Sequence, residues 1–374
     1  MSELVGWEVT TWGTISDLRY GKALRDYRGA GGDVPVFGTN GPVGLTDSPQ
    51  CSGPGVIIGR KGAYRGVHYS ELPFWVIDTA FYLAPKSRID MRWAYYSLQL
   101  ADINGLDSGS AIPSTTRESF GAIAVLVPPL PEQQAIAEVL GALDDKIAAN
   151  TALAERAESL ASLTYDAAVT AWPRVPMNTM LEPILGGTPP RARDDYWSDG
   201  DQLWISARDI TSAPNRVVLD TAEKITLHAV SDTKAKALPT GSVILTARGT
   251  VGEVGRLARP ASFNQSCYGF RPDSLPPGLL YFSILRATQR AKAVAHGSVF
   301  DTITKATFGH LDMAWDESRA ALAEEAIAPI LDVVSATASE NRTLAATRDA
   351  LLPQLMSGKL RVRDAEEMIA QAGV

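Results

Sequence analysis

The side chains able to do chemistry here are donors and cations set beside glycine in short loops. In the first third of the chain they are Lys22 in YGKAL, Thr39 and Asn40 in FGTNGPVG, Arg60, Lys61 and Tyr64 in IGRKGAYRG, and Ser110 in DSGSAIPSTT. Further on, LGGTPPRARDDYWSDGDQLWISARDI holds Thr188, Arg191, Arg193 and Arg208, SVILTARGT holds Arg248 and Thr250, and GSVFDTITKATF holds Ser298. Glycine lets a main chain approach a ligand closely, while guanidinium, ammonium, amide and hydroxyl groups bond phosphates and base edges. Pro189–Pro190 keeps the segment carrying Arg191 and Arg193 extended, which suits an arginine to guanine or phosphate contact. Each loop alone also fits a plain hairpin or strand–helix connection, and Trp197 and Trp204 fit core packing.

Sequence signals of catalysis are missing. No GxxxxGK[ST] loop is present; Ser357–Gly358–Lys359 lacks the upstream glycine and follows a helical stretch. Neither an aromatic-flanked Asn/Asp-Pro-Pro motif, nor a strand followed by GxGxxG, nor a Ser/His/Asp or paired-carboxylate arrangement is found. Four scattered histidines and two cysteines, Cys51 and Cys267, make no zinc pattern. We therefore expect a chain that catalyses nothing alone and holds no metal. No apolar run reaches membrane-spanning length and no secretory leader opens the chain, so a reducing cytoplasm is expected.

The elements that must position these loops are set by two long helical stretches. Over residues 131–171 Ile136, Leu140, Leu143, Ile147 and Asn150 follow an alternating 4-3 step, with Val139, Leu153 and Leu160 widening the stripe. Such a repeat marks a helix zipped against another long helix, roughly 60 Å long at 1.5 Å per residue. Residues 322–360 repeat the pattern 191 positions later, with Ile327, Leu331, Val334, Asn341 and Leu352 on the seam. The returning asparagine predicts that Asn150 and Asn341 share one antiparallel seam. Pro329 is expected to delay or bend the second helix. GVIIGRKG at 55–62 returns as SVILTARG at 242–249, and GSAIPSTTRESF at 109–120 as GSVFDTITKATF at 297–308, so the whole chain duplicates with a period near 190. Arg60 and Arg248 are thus equivalent, fitting either a ligand contact or an internal salt bridge.

The predicted architecture is α+β. A mixed α/β domain at 1–130 precedes a spacer helix at 131–172; a second such domain at 173–317 precedes a C-terminal helix and tail at 318–374. In the first domain, strands are expected at Val34–Phe37, Val56–Ile58, Phe74–Ile77 and Ala122–Val127, and a helix from Met91 capped by Asp90. Net charge is −7, but residues 131–171 carry seven acidic against two basic side chains, whereas residues 172–311 carry sixteen basic against twelve acidic. The helices hold the acid. Local patches, not the total, set phosphate affinity, and a DNA role would borrow positive charge from a partner.

PPLPEQQAIAEVLGALDDKI at 128–147, RDALLPQLMSGKLRV at 348–362, GGTP at 186–189 and the stretch from RKG to DTAFYL at 60–83 resemble the specificity subunit of type I restriction–modification systems. The resemblance covers nearly the full length. It implies two target-recognition domains, each reading half of a split double-stranded DNA sequence, and two antiparallel helices that set the half-site spacing. Two methylase subunits, holding S-adenosylmethionine, would dock on the helices, and ATP-driven motor-nuclease subunits would join them; no membrane is involved. The fourteen loop residues named above become the expected DNA-facing set. Two other readings share the architecture: a helical protein-interaction scaffold without DNA readout, and a specificity partner in a methylation-only system.

Overall fold

The computed structural model describes residues 6–29, 31–62, 64–106, 113–294 and 302–372. They fall into two units: residues 1–146 with 343–374, and residues 147–342. The cut passes through both long helices.

In the first unit the strands are β1 (Glu8–Thr11), β2 (Ser16–Tyr20), β3 (Val34–Gly38), β4 (Gly41–Thr46), β5 (Gly55–Gly59), β6 (Val67–Ser70), β7 (Trp75–Val76), β8 (Ala80–Pro85) and β9 (Ala124–Val127). They make a four-stranded sheet in the order β2-β8-β5-β6, a three-stranded sheet β4-β3-β7 and the pair β1-β9. Strand β5 reads as an unbroken apolar run because Val56, Ile57 and Ile58 are fully buried. Helix α1 (Trp12–Ile15) turns the chain between β1 and β2, and Trp12 packs on Trp93 and Phe120 with ring centroids 6.1 and 6.0 Å apart. Helix α2 (Met91–Gln99) starts where Asp90 accepts from the Arg92 and Trp93 amides, and α3 (Arg117–Gly121) starts at a Thr116/Ser119 capping box.

Helix α4 (Leu130–Val169) begins in this unit, and α8 (Glu317–Met356) ends in it before a turn at Gly358 and helix α9 (Val362–Ala372). Ile136, Leu140 and Leu143 on α4 are buried, as are Leu344, Leu351 and Leu352 on α8. Asp144 ties the layer together. It accepts from Arg348 across the helix pair at 2.6 Å and from the Tyr96 hydroxyl of α2 at 2.5 Å.

The second unit repeats the topology. Its strands are β10 (Arg174–Pro176), β11 (Ile184–Leu185), β12 (Gln202–Ile205), β13 (Val217–Val218), β14 (Glu223–Ile225), β15 (Val243–Thr246), β16 (Val254–Leu257), β17 (Ala261–Phe263), β18 (Cys267–Phe270) and β19 (Asp312–Ala314). The larger sheet runs β11-β18-β15-β16-β13, so β11, β18, β15 and β16 stand where β2, β8, β5 and β6 stand in the first. The smaller sheet, β14-β12-β17, matches β4-β3-β7 down to one antiparallel and one parallel neighbour for the middle strand. Helices α5 (Ala207–Thr211) and α6 (Leu227–Asp232) are short. The longer α7 (Pro277–Val294) opens where Glu324 of α8 accepts from the Gly278 and Leu279 amides, an acid at the positive helix end.

Within this unit α4 and α8 pack antiparallel: Asn150 meets Glu340, Ala154 and Ala157 cluster with Val334 and Ala338, and Ala161 joins a core that holds Ala323, Ile327 and Leu331. Ile147 and Asn341 are half-buried here. Two expectations change. Leu153 and Leu160 do not widen the seam; they are 48% and 54% exposed, because alanines at 154, 157 and 161 take the inner face where α8 and the domain crowd it. Pro329 does not delay α8, which runs unbroken from Glu317.

Candidate nucleic-acid interface

In the first unit, Thr79 draws two glycine loops together. Its carbonyl accepts from the Thr39 hydroxyl at 2.7 Å and from the Arg60 amide at 3.0 Å. The Gly66 amide bonds the Thr39 carbonyl, and the Asn40 side chain, in the orientation that satisfies both its groups, donates to the Tyr64 carbonyl at 2.9 Å. Residues 60–62 pair with 113–115, which exposes Lys61. Tyr64 is 65% exposed. Lys22 is exposed nearby, its amide on the Val76 carbonyl. His68 fills the space under both loops: a Cβ on Gly66 would come 2.4 Å from its Nε2, and one on Gly41 3.3 Å from its Cε1. Burial lowers the pKa of His68, against a smaller opposing effect of its bond to the Thr39 main chain.

Arg60 is half-buried, donates to the Asp78 carbonyl at 3.0 Å and lies 4.8 Å from the Tyr20 ring. Arg117, which no loop motif singled out, comes 4.3 Å from the same ring. Arg65, the second arginine of IGRKGAYRG, is instead structural: it is 1% exposed and donates to the Asn104 carbonyl at 2.6 Å. Ser110 and Ser298 lie outside the described residues.

In the second unit, the glycines of GGTP serve close packing. A Cβ on Gly186 would meet the Asn264 carbonyl at 2.2 Å, and one on Gly187 the Lys234 main chain at 2.6 Å. Thr188 then bonds Gln265, and Trp204 donates to the Gly187 carbonyl at 3.0 Å. Trp204 is buried, as core packing requires; Trp197 is half-buried, edge-on to it at 5.1 Å. The Arg191 guanidinium stacks 3.8 Å from the Trp197 ring and holds both oxygens of Glu223, which lowers the Glu223 pKa. Arg193 is held in the same two-pronged way by Asp195, 4.5 Å from the Tyr196 ring, and lowers the Asp195 pKa. Both arginines stay half-exposed. Arg208 on α5 and Arg248 and Thr250 in the turn after β15 are exposed. Arg60 and Arg248 prove unlike: the first is tied to a main-chain carbonyl and stacked, the second projects beside an open Gly249. Neither makes a salt bridge among the described residues.

No group of three or more His, Cys, Asp or Glu side chains capable of holding a metal occurs among the described residues, and no described helix is long and apolar enough to cross a membrane. Cys51 and Cys267 are free thiols; burial pushes Cys267 up to about 12, far from thiolate reactivity.

Two copies of one mixed α/β domain, each carrying donor-lined loops and running into a helix of 40 residues, define a protein of tandem duplicated domain-and-helix units. The family model of the type I restriction modification DNA specificity domain matches residues 5–159 and 180–343, and the chain belongs to that family. It is 25% identical over 136 residues to the MjaIX type I restriction enzyme specificity subunit of Methanocaldococcus jannaschii, covering 35% of this chain and 31% of that one. With the HindI specificity subunit of Haemophilus influenzae it shares 23% over 195 residues, 50% of this chain and 42% of the other. The matches therefore span less than half of these curated relatives. The S subunit of a type I restriction–modification system from M. genitalium has the same fold, with a TM-score of 0.69 over 95% of this chain and 97% of that chain at 14% identity.

Proposed function

We propose that this chain is the DNA sequence-specificity subunit of a type I restriction–modification complex. Each globular domain, 1–130 and 173–317, reads one half of a bipartite duplex target through its glycine-loop donors. The helices at 131–172 and 318–374 set the half-site spacing and dock two methylase subunits, to which motor-nuclease subunits add. The chain performs no reaction itself; S-adenosylmethionine and ATP belong to those partners, and the assembly works in the cytoplasm.

One observation carries the reading: the same two-sheet topology occurs twice, each time with a set of donor-bearing loops. Two copies related by duplication suit two copies of one partner, while unlike loops allow an asymmetric target. A helix of 40 residues is about 60 Å long, between one and two turns of B-DNA at about 34 Å each. Leu153, Leu160 and Leu163 on α4 are 48%, 54% and 68% exposed, an apolar stripe on an acidic helix that fits a protein partner better than a phosphate backbone.

The test is a long-read methylation map of the source cells with and without an in-frame deletion of this chain. Loss of N6-methyladenine from one split, asymmetric motif is expected, and truncation of residues 173–374 should alter one half of it. An unchanged map in cells that methylate such a motif would overturn the proposal.

A further inference from the structure

We infer that Tyr20, Arg60 and Arg117 form a binding site for a backbone phosphate of nucleic acid in the first unit, an inference that rests on the DNA-binding reading above. Tyr20 ends β2 and is 46% exposed, its ring packed on Phe81 at 4.9 Å. Two guanidinium groups share that ring, Arg60 at 4.8 Å and Arg117 at 4.3 Å, so their centres lie within about 9 Å of each other, the sum of the two distances. That is inside the roughly 10 Å over which charges repel at ordinary ionic strength. An exposed cation–π contact is a weak attraction. Neither arginine has a carboxylate partner among the described residues, unlike Arg191 and Arg193 in the second unit. Two like charges are therefore held close to one ring with no carboxylate in ion-pair reach among the described residues. The anion that satisfies such a site is one with several acceptor oxygens and a fixed charge, as in a phosphodiester. Arg60 keeps one Nη on the Asp78 carbonyl, so its other N–H groups and the Arg117 guanidinium are the donors that the tyrosine ring positions.

Binding of the full-length chain to a mixed-sequence DNA duplex, followed over a salt series, tests this. Arg117→Gln should weaken binding about tenfold at low salt, as for a lost charge-assisted bond, equally for all sequences, and reduce the slope of log K against log salt by about one. Tyr20→Leu, which removes the shared ring, should bind several-fold more weakly. Arg117→Lys should keep most of the slope, which preserves the test if the glutamine variant folds poorly by circular dichroism. An unchanged slope and affinity in Arg117→Gln overturns the site, and so does a loss confined to one base position. Wild-type protein that binds no duplex at any ionic strength, while the methylation map still depends on the chain, overturns this inference alone; a map that does not depend on the chain overturns the reading beneath it.

Discussion

Asn150 and Asn341, 191 positions apart in the duplicated sequence, cross-brace the antiparallel helices without touching each other through their amides. Asn150 Nδ2 donates to Glu340 Oε2 at 2.8 Å, and Asn341 Nδ2 donates to the Ile147 carbonyl at 3.3 Å and to Thr151 Oγ1 at 3.2 Å. Each amide bonds the helical turn that flanks the other. One register gives both Nδ2 groups their acceptors, since a shift of one helix by a few residues would place an amide against alanine.

Asn150 is 4% exposed, so its loss leaves a desolvated hole in the seam. Asn150→Ala is expected to lower stability by about 1–3 kcal/mol, seen as a lower urea midpoint at unchanged slope. Asn150→Leu should hold stability better but admit other registers. Cysteines placed at 154 and 338, in a background lacking Cys51 and Cys267, should then crosslink less completely than in the Asn150 protein. Equal crosslinking in both would remove the register role.

Arg191 is half-exposed, and its pair with Glu223 is worth under about 1 kcal/mol to folding. Arg191→Ala should therefore leave the melting temperature nearly unchanged. Methylation of targets altered one base at a time is expected to lose about 1–3 kcal/mol of discrimination at a single position of one half-site. Uniform loss across targets would make it a phosphate contact. Glu223→Gln frees the fork and should tighten binding to every duplex.

His68 supplies a pH test. Burial holds its folded pKa below the ordinary 6.5, so the unfolded chain takes up a proton first as pH falls. Stability from the neutral imidazole is present above about 6.5 and declines from there down through the lower folded value. Thermal melts from pH 8 to pH 5 should show wild type losing stability relative to His68→Phe over that interval. Parallel curves would sink the assignment.

Glu158 on α4, Arg256 on β16 and Tyr281 on α7 make a buried polar trio in the second unit. The Tyr281 hydroxyl donates to Glu158 Oε1 at 2.5 Å, Arg256 lies 3.8 Å from Oε2, and burial is the main cause that raises the tyrosine pKa. Arg256→Met strands a carboxylate whose side chain is only 14% exposed and should cost about 3–5 kcal/mol in chemical denaturation. Removing both charges, with Glu158→Met added, should recover most of that loss; additive costs would show that the two do not act as a pair.

Much of this protein was readable from one dimension. The 4-3 stripe, the returning asparagine and the period near 190 are local or repeated signals, and a helix repeat carries its own geometry, so the duplication and the paired helices needed no coordinates. Strand runs such as Val56–Ile58 and the Asp90 cap were equally local. What tertiary structure alone decided are contacts between residues distant in sequence: that Leu153 and Leu160 face outward because alanines fit the crowded side, that Arg191 meets Glu223, 32 residues on, and that Arg65 is buried while its neighbour Arg60 shares Tyr20 with Arg117, 57 residues on. A loop's composition lists its donors. Which of them are already satisfied depends on what the folded chain brings beside them, and that is set by packing, which has no period to read.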